Sequence, residues 1–537
     1  MKLGIRQTAF KAAEITYLDR KPIQLDRMLL KLFEALRYDG RPIVRRKKKP
    51  LEVDDLVNEM AANTERFPGF ADHPDVARAW LRRDLLQIMN RDKPGSETLV
   101  GPRPFHLNAF KLTNPKAVSD YGASDQVRAF IYHADPPLLA TLKSFFGRGL
   151  DQATDQYDRQ TNLDLETRAI LGLADQVRVD PGSTPASPPF EPLCKMQGAL
   201  MAEDLRRLLA YEDQVPRHVL AGYVRDILGL HLALYLMRLF KLLPQWVEAA
   251  MRHEPTPMCP MCPSQGGESR ACPYSVEIVV DLTEAPNSPT ALLARQCAAE
   301  HINGISSYVR AVIAIHRVKE LMNVPGVGVN LTKTSTVRDS LDVLRNPPPK
   351  LEGFYLAKIS ELISLDPGEE LDSVAQEILN LDLSSLDKYV ELIAHQRMKV
   401  ERKHLVDLLD ALCQKNRPGG FMTQTVGRGA PRRFTLSSQL LECLVQIAVL
   451  ERHGPGGEFR PRNLLVEDFV EWLRTRYGIV VYTPAHREVT ASEQPAWTAN
   501  KNALRERLHQ IGFYSDLSDA FNSQTLRPRY EVHVGHA

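Results

Sequence analysis

HVLAGYVRDILGLHLALYLMRLFKLL, residues 218–243, is the stretch that decides the fold class. Its apolar residues recur every third and fourth position, the period of a helix. From Leu228 to Leu243 the run is almost continuously apolar, broken by His231, Arg238 and Lys241. It is shorter than the roughly 20 uncharged residues of a membrane span. It therefore reads as a helix buried on all sides within a soluble protein. The same period recurs over 25–37, 74–89 and 288–322. Strand signals are sparse: YSVEIVVDL (274–282) is the clearest, with short ones near 421–426, 433–436, 478–482 and 529–534. The expected fold is mainly α and multi-domain.

A chain of 537 residues divides into about three to five domains. Its 43% apolar and 25% charged content is that of an ordinary globular protein. The net charge of +2 is too small for a polycation, so affinity for nucleic acid has to come from local clusters. The N-terminal residues lack the apolar core of a secretory signal, and seven cysteines are too few for a disulfide scaffold. A cytoplasmic location without a membrane is expected. Proline-rich stretches at 177–192, 345–353 and 452–463 look like seams. They divide the chain into an α-rich region (1–176), a linker (177–192), a helical region with clustered cysteines (193–345) and two C-terminal units (346–436 and 437–537).

The cysteines cluster in CPMCPSQGGESRAC (259–272), spaced C-x2-C-x9-C. Zinc in structural sites takes four tetrahedral ligands, thiolates foremost. Cys259, Cys262 and Cys272 supply three, and Gly266 and Gly267 let the chain fold back. Cys297 or His301, four apart on one helical face, is the candidate fourth ligand. The alternative is an iron–sulfur cluster that adds Cys194, and the plainest reading is free cysteines. No H-E-x-x-H helix or H-x-E deaminase pattern accompanies the cluster. The expected metal is a structural zinc that staples a loop onto helices.

Basic residues cluster twice. RPIVRRKKKP (41–50) has six, with Arg45, Arg46, Lys47, Lys48 and Lys49 consecutive. Such a run is either a solvated loop or a contact to phosphates. Residues 385–436 read as helix, helix and a hairpin around a glycine-rich basic turn, the order of a winged helix. Arg428, Arg432 and Arg433 stand near the wing tip. Asp407 and Asp410 on the second helix count against DNA.

A second such unit follows. In NKNALRERLHQI (500–511), Leu504, Leu508 and Ile511 form one stripe. Lys501, Asn502, Arg505 and His509 fall within about 100° on another side. These residue types meet bases and phosphates in a groove. Arg527 and Arg529 would belong to the second wing. Duplex DNA is thus an expected partner, although winged helices also dock proteins.

Enzyme motifs are missing. VPGVGVNLTKTS (324–335) lacks the glycine spacing of a phosphate loop, and no nucleophile elbow, dinucleotide fingerprint or kinase set is found. Asp281 and Glu284 at a strand end leave a metal-dependent nuclease as the enzymatic rival, against the plainer reading of a helix cap and turn. The stretch LLVEDFVEWLRTRYGIVV, followed by NALRERLHQIGFYSDLSDAFNSQTLRPRY, resembles the tail of accessory proteins of multi-gene bacterial phage-defence clusters of the methylation-associated type. The resemblance covers about a hundred C-terminal residues and carries no catalytic motif. It implies a cytoplasmic bacterial protein that works beside a helicase, nuclease or methyltransferase. The combined expectation is a non-enzymatic DNA-binding or scaffold protein, with a nuclease or a pure protein adaptor as alternatives.

Overall fold

The structure is a computed structural model. It describes residues 12–45, 51–93, 95–151, 153–158, 160–255, 272, 274–322, 324, 336–364, 372–425, 427, 429–453, 458–482, 490–514 and 525–532. Among them the chain forms seventeen α-helices and seven two-stranded sheets, so it is mainly α.

The opening stretch lies in one 35-residue helix, Arg217–Met251. A helix apolar all round must be covered all round. In its most apolar window the mean hydropathy is 1.5, enough by length and composition to cross a membrane, yet 89% of that window is buried inside the protein. Helices from most of the chain supply the cover: Leu25–Arg37, Ala123–Ala134, Lys195–Leu209, Ile305–Met322, Val337–Arg345, Ser385–Leu412 and Ser438–Ala448. This helix is the axis of the molecule, and the core surrounds it.

Three sequence expectations change. The proline-rich stretch 177–192, read as a linker, is packed against the N-terminal region. Val179–Pro181 pairs antiparallel with Ile43–Arg45, the Phe190 amide donates to the Tyr17 hydroxyl (2.8 Å), and His133 donates to the Pro189 carbonyl (2.9 Å). The seam at 452–463 contains a hairpin of Leu450–His453 with Glu458–Pro461. The two helices expected before the first wing are one continuous helix, Ser385–Leu412, because no glycine or proline interrupts those 28 residues. The hairpin that follows is present, Met422–Gln424 against Arg432–Phe434. A helix–turn–helix is therefore not formed there.

Ile278–Val279, from the clearest strand signal, pairs in parallel with Ile479–Val480, so the central and C-terminal regions share a sheet. Gly478 makes the approach possible. It ends the Val466–Tyr477 helix at φ +75°, and a Cβ there would lie 1.9 Å from the Val276 carbonyl oxygen. Asn500, on the Gln494–Gln510 helix, locks the pair. Its amide donates to the carbonyls of Val280 (2.9 Å) and Val481 (2.6 Å), and its oxygen accepts from the Leu282 amide (2.8 Å).

Candidate functional site

On the Gln494–Gln510 helix, Leu504 and Leu508 are fully buried and turn Lys501, Asn502, Arg505 and His509 outward. Two of these four meet an acid. Glu467, in the first turn of Val466–Tyr477, takes Lys501 at 2.9 Å and Arg505 at 3.3 Å. Lys501 also stands over the Tyr482 ring (5.2 Å). Partial burial works to raise the Glu467 pKa, but these cations hold the carboxylate below its ordinary range. Asn502 lies 3.5 Å from Arg505, and both it and His509 are exposed.

The hairpin arginines point into the protein. Arg432 binds Asp410 through Nε and Nη2 at 2.6 and 2.9 Å, and Lys415 joins the same carboxylate. Asp410 is therefore the counter-ion of the hairpin. Arg433 pairs with Asp281 at 2.8 Å. Arg529 pairs with Glu442 (2.5 Å), donates to the Ile511 carbonyl and covers the Phe513 ring (4.2 Å). Arg527 is exposed, its amide bonded to the Phe513 carbonyl (3.2 Å). Arg428, Arg46, Lys47, Lys48 and Lys49 lie outside the described residues, as does the side chain of Arg45.

The two carboxylates of the nuclease reading face different surroundings. Asp281 is buried, and its Oδ1 accepts from Thr283 and Thr290 hydroxyls (both 2.8 Å) and from Ser288 (3.3 Å). Ser288 in turn caps the Pro289–Asn303 helix. Glu284 is exposed and pairs with Arg507 at 2.7 Å. Asp281 thus tightens a helix start, while Glu284 is engaged by Arg507.

Cys259 and Cys262 lie outside the described residues, and Cys272 is buried. Cys297 and His301 converge on the Glu277 carbonyl, the thiol at 3.2 Å and Nε2 at 2.9 Å. The Cys297 sulfur also accepts from the Val279 amide (3.4 Å). Burial pushes the Cys297 thiol up to about 12 and His301 down to about 4, so both are neutral at pH 7. They clasp the parallel strand to the Pro289–Asn303 helix. Cys194 precedes the Lys195–Leu209 helix and lies 3.5 Å from Arg238. Among the described residues no three His, Cys, Asp or Glu side chains converge as a metal group.

Sequence reasoning missed the principal buried polar cluster. Asp204 accepts from Arg476 (Nε, 3.0 Å), Tyr477 (2.6 Å) and His231 Nε2 (2.9 Å), and Gln197 donates to His231 Nδ1 (2.6 Å). Burial works to raise the Asp204 pKa, but Arg476 and the hydrogen bonds hold it at about 2. Three helices, Lys195–Leu209, Arg217–Met251 and Val466–Tyr477, are tied at this point. The available signal was His231 itself, a polar residue in an apolar run that requires a partner.

Fold and site together define a mainly helical protein whose C-terminal cations are largely paired within the chain. The chain belongs to the family of the methylation-associated defense system protein MAD7, whose sequence profile matches residues 5–530. The likeness thus spans nearly the whole chain, beyond the hundred C-terminal residues that first carry it. No curated protein sequence matches the chain significantly. The protein is a component of a methylation-associated antiviral defence system.

Proposed function

We propose that this protein is a non-enzymatic adaptor that works in the cytoplasm and holds other proteins of its defence system together. The supporting observation is the internal pairing of Lys501, Arg505, Arg432, Arg433 and Arg529 with Glu467, Asp410, Asp281 and Glu442. Phosphate binding draws its energy from cations that displace condensed counter-ions, and cations already matched to carboxylates contribute less. Co-purification of the full chain with the other system proteins, before and after nuclease treatment, tests the reading. Retention after nuclease is expected. Loss of every partner after nuclease, with duplex binding that weakens steeply as salt rises, would overturn it.

Direct contact with duplex DNA is the second reading, favoured by the exposure of Asn502, His509 and Arg527. On that reading Arg505→Ala and Arg428→Ala weaken duplex affinity. A nuclease would show Mg²⁺- or Mn²⁺-dependent cleavage that disappears in Asp281→Ala. We also propose that Cys259, Cys262 and Cys272, with Cys297 or His301 as the fourth ligand, hold a structural zinc. The support is their spacing in the sequence. Elemental analysis should find about one zinc per chain and no iron, whereas iron with absorbance near 400 nm would favour a cluster with Cys194.

A further inference from the structure

Six carboxylates are buried among the described residues: Glu14, Asp120, Asp204, Asp226, Asp281 and Glu401. Five of them meet a cation. Glu14 pairs with Lys319, Asp204 with Arg476, Asp226 with Arg225, Asp281 with Arg433 and Glu401 with Arg20. Asp120 is the exception. It is 9% exposed and forms no ion pair among the described residues. Its Oδ2 accepts from the Ser124 amide (2.8 Å), which with the start of the Ala123–Ala134 helix offsets part of its charge. Its Oδ1 accepts no hydrogen bond there. A buried carboxylate without a counter-ion is costly.

Asp120 lines a cavity of about 310 Å³, at the small end of ligand pockets. The cavity lies where residues 12–20 and the turn 119–122 meet the Arg217–Met251, Ile305–Met322 and Ser385–Leu412 helices. The turn is wound left-handed at Tyr121 (φ +52°) and Gly122 (φ +83°). It is pressed against the N-terminal segment: the Asp19 amide donates to the Tyr121 carbonyl (2.8 Å), and a Cβ at Gly122 would lie 2.1 Å from the Tyr17 carbonyl oxygen. Leu18, Leu236, Val312 and Leu408 supply apolar wall. Tyr308 supplies a second unmatched polar group. It is 3% exposed, its ring packs on Phe240 (5.1 Å), and its hydroxyl makes no hydrogen bond among the described residues. Burial pushes that hydroxyl up to about 12, against the nearby charge of Arg20, so it is uncharged at pH 7.

Charge selects what can fill this space. Asp19 and Arg20 also line the cavity, and Arg20 is bound to Glu401. Lys21 stands over the Tyr121 ring (5.2 Å). An anion would be repelled by Asp120, and a neutral molecule would leave its charge unmatched. An ammonium group matches it, and aromatic faces such as those of Tyr121 and Tyr308 favour a cation as well. We infer that this cavity binds a small organic cation, a primary amine with a compact apolar body, whose ammonium donates to Asp120. The inference goes beyond the adaptor reading and does not depend on it. Five segments of the chain wall the cavity, so an occupant ties residues 12–20 to the axial helix.

The test is calorimetric titration of the full chain with phenethylammonium, 2-phenylethanol and phenylacetate, probes of similar size that differ in charge. Phenethylammonium should bind and raise the melting temperature. The alcohol and the carboxylate should bind more weakly by roughly tenfold or more, the loss that accompanies a charged hydrogen bond. Asp120→Asn, which keeps an oxygen for the Ser124 amide, should bind phenethylammonium no better than 2-phenylethanol. Tyr308→Phe removes an unmatched hydroxyl, so it should melt as the wild type does and weaken phenethylammonium by roughly threefold or more. It carries the test should Asp120→Asn fail to fold. No binding of phenethylammonium, equal binding of all the probes, or amine binding that survives both substitutions unchanged overturns the inference and leaves the cavity to water. None of these results touches the adaptor reading, which rests on other residues.

Discussion

Asp204 shows how much one buried carboxylate can organise. Arg476 and Tyr477 reach it from 272 and 273 residues away, and His231 from the axial helix. Removing one member of a buried ionic set leaves the others unmatched, which typically costs about 3–5 kcal/mol. Asp204→Asn should lower unfolding stability by about that amount, measured by denaturant titration. His106 offers a pH test. Burial, reinforced by the nearby charges of Arg217 and Lys111, pushes its pKa down to about 3, although its bond to the Arg148 carbonyl (3.2 Å) works the other way. The unfolded chain takes up this proton near pH 6.5 and the folded chain only near pH 3. Stability is therefore greatest above pH 6.5 and falls through that window as acid is added, by roughly 1.4 kcal/mol per pH unit from this residue. Urea titrations at pH 7, 6 and 5 should show a slope to which His301 and His316, also held low by burial, add, and His106→Asn should lessen it by about 1.4 kcal/mol per pH unit. In the sequence, His231 declared a buried polar site by its apolar neighbours. Its partners were not legible, because local periodicity has no information about residues so distant in the chain.

At the level of elements, the apolar period located most helices but not where they join. Residues 394–403, AHQRMKVERK, are the mostly polar middle of a stretch that the sequence pattern reads as two helices. The helix runs through them because its neighbours Ile305–Met322 and Leu351–Ser364 pack along it and no residue there breaks a helix. Lys399 is exposed in mid-helix, so Lys399→Gly should cost about 1 kcal/mol and Lys399→Pro about 3 kcal/mol or more. Circular dichroism with chemical denaturation checks both, and a near-neutral Lys399→Gly would restore the turn. On the Gln494–Gln510 helix, Leu508→Ala should cost roughly 2–5 kcal/mol. Arg505→Ala should cost less than about 1 kcal/mol, because its pair with Glu467 is solvent-exposed. The stripe of Leu504 and Leu508 was legible from spacing. Asn500 lies on that same stripe, and only the paired strands reveal why a polar residue belongs there.

For the whole molecule, prolines marked boundaries that the contacts cross. Ile278–Val279 with Ile479–Val480, the Asp204 cluster and the Arg433–Asp281 pair all join the central region to the C-terminal one. Central and C-terminal regions should therefore unfold in one calorimetric transition. A chain ended before residue 437 should expose the central core and aggregate, as light scattering would show. Two separate transitions, or a soluble folded truncation, would mean that the seams are true domain borders. Both strands were legible, at 274–282 and 478–482, but their pairing was not, because about 200 residues of chain separate them.

The parallel pair also sets a schedule for synthesis. Its first strand leaves the ribosome about 200 residues before its second. At roughly 5–20 residues per second, that leaves the first strand waiting about 10–40 s for its partner. Until then Ile278 and Val279 present an open backbone edge beside Cys297 and His301, and Gly478, which lets the partner approach, has not been made. The nascent chain therefore passes through a period in which its central region is exposed to wrong pairing, and its yield in the cell should depend on chaperones that cover that edge.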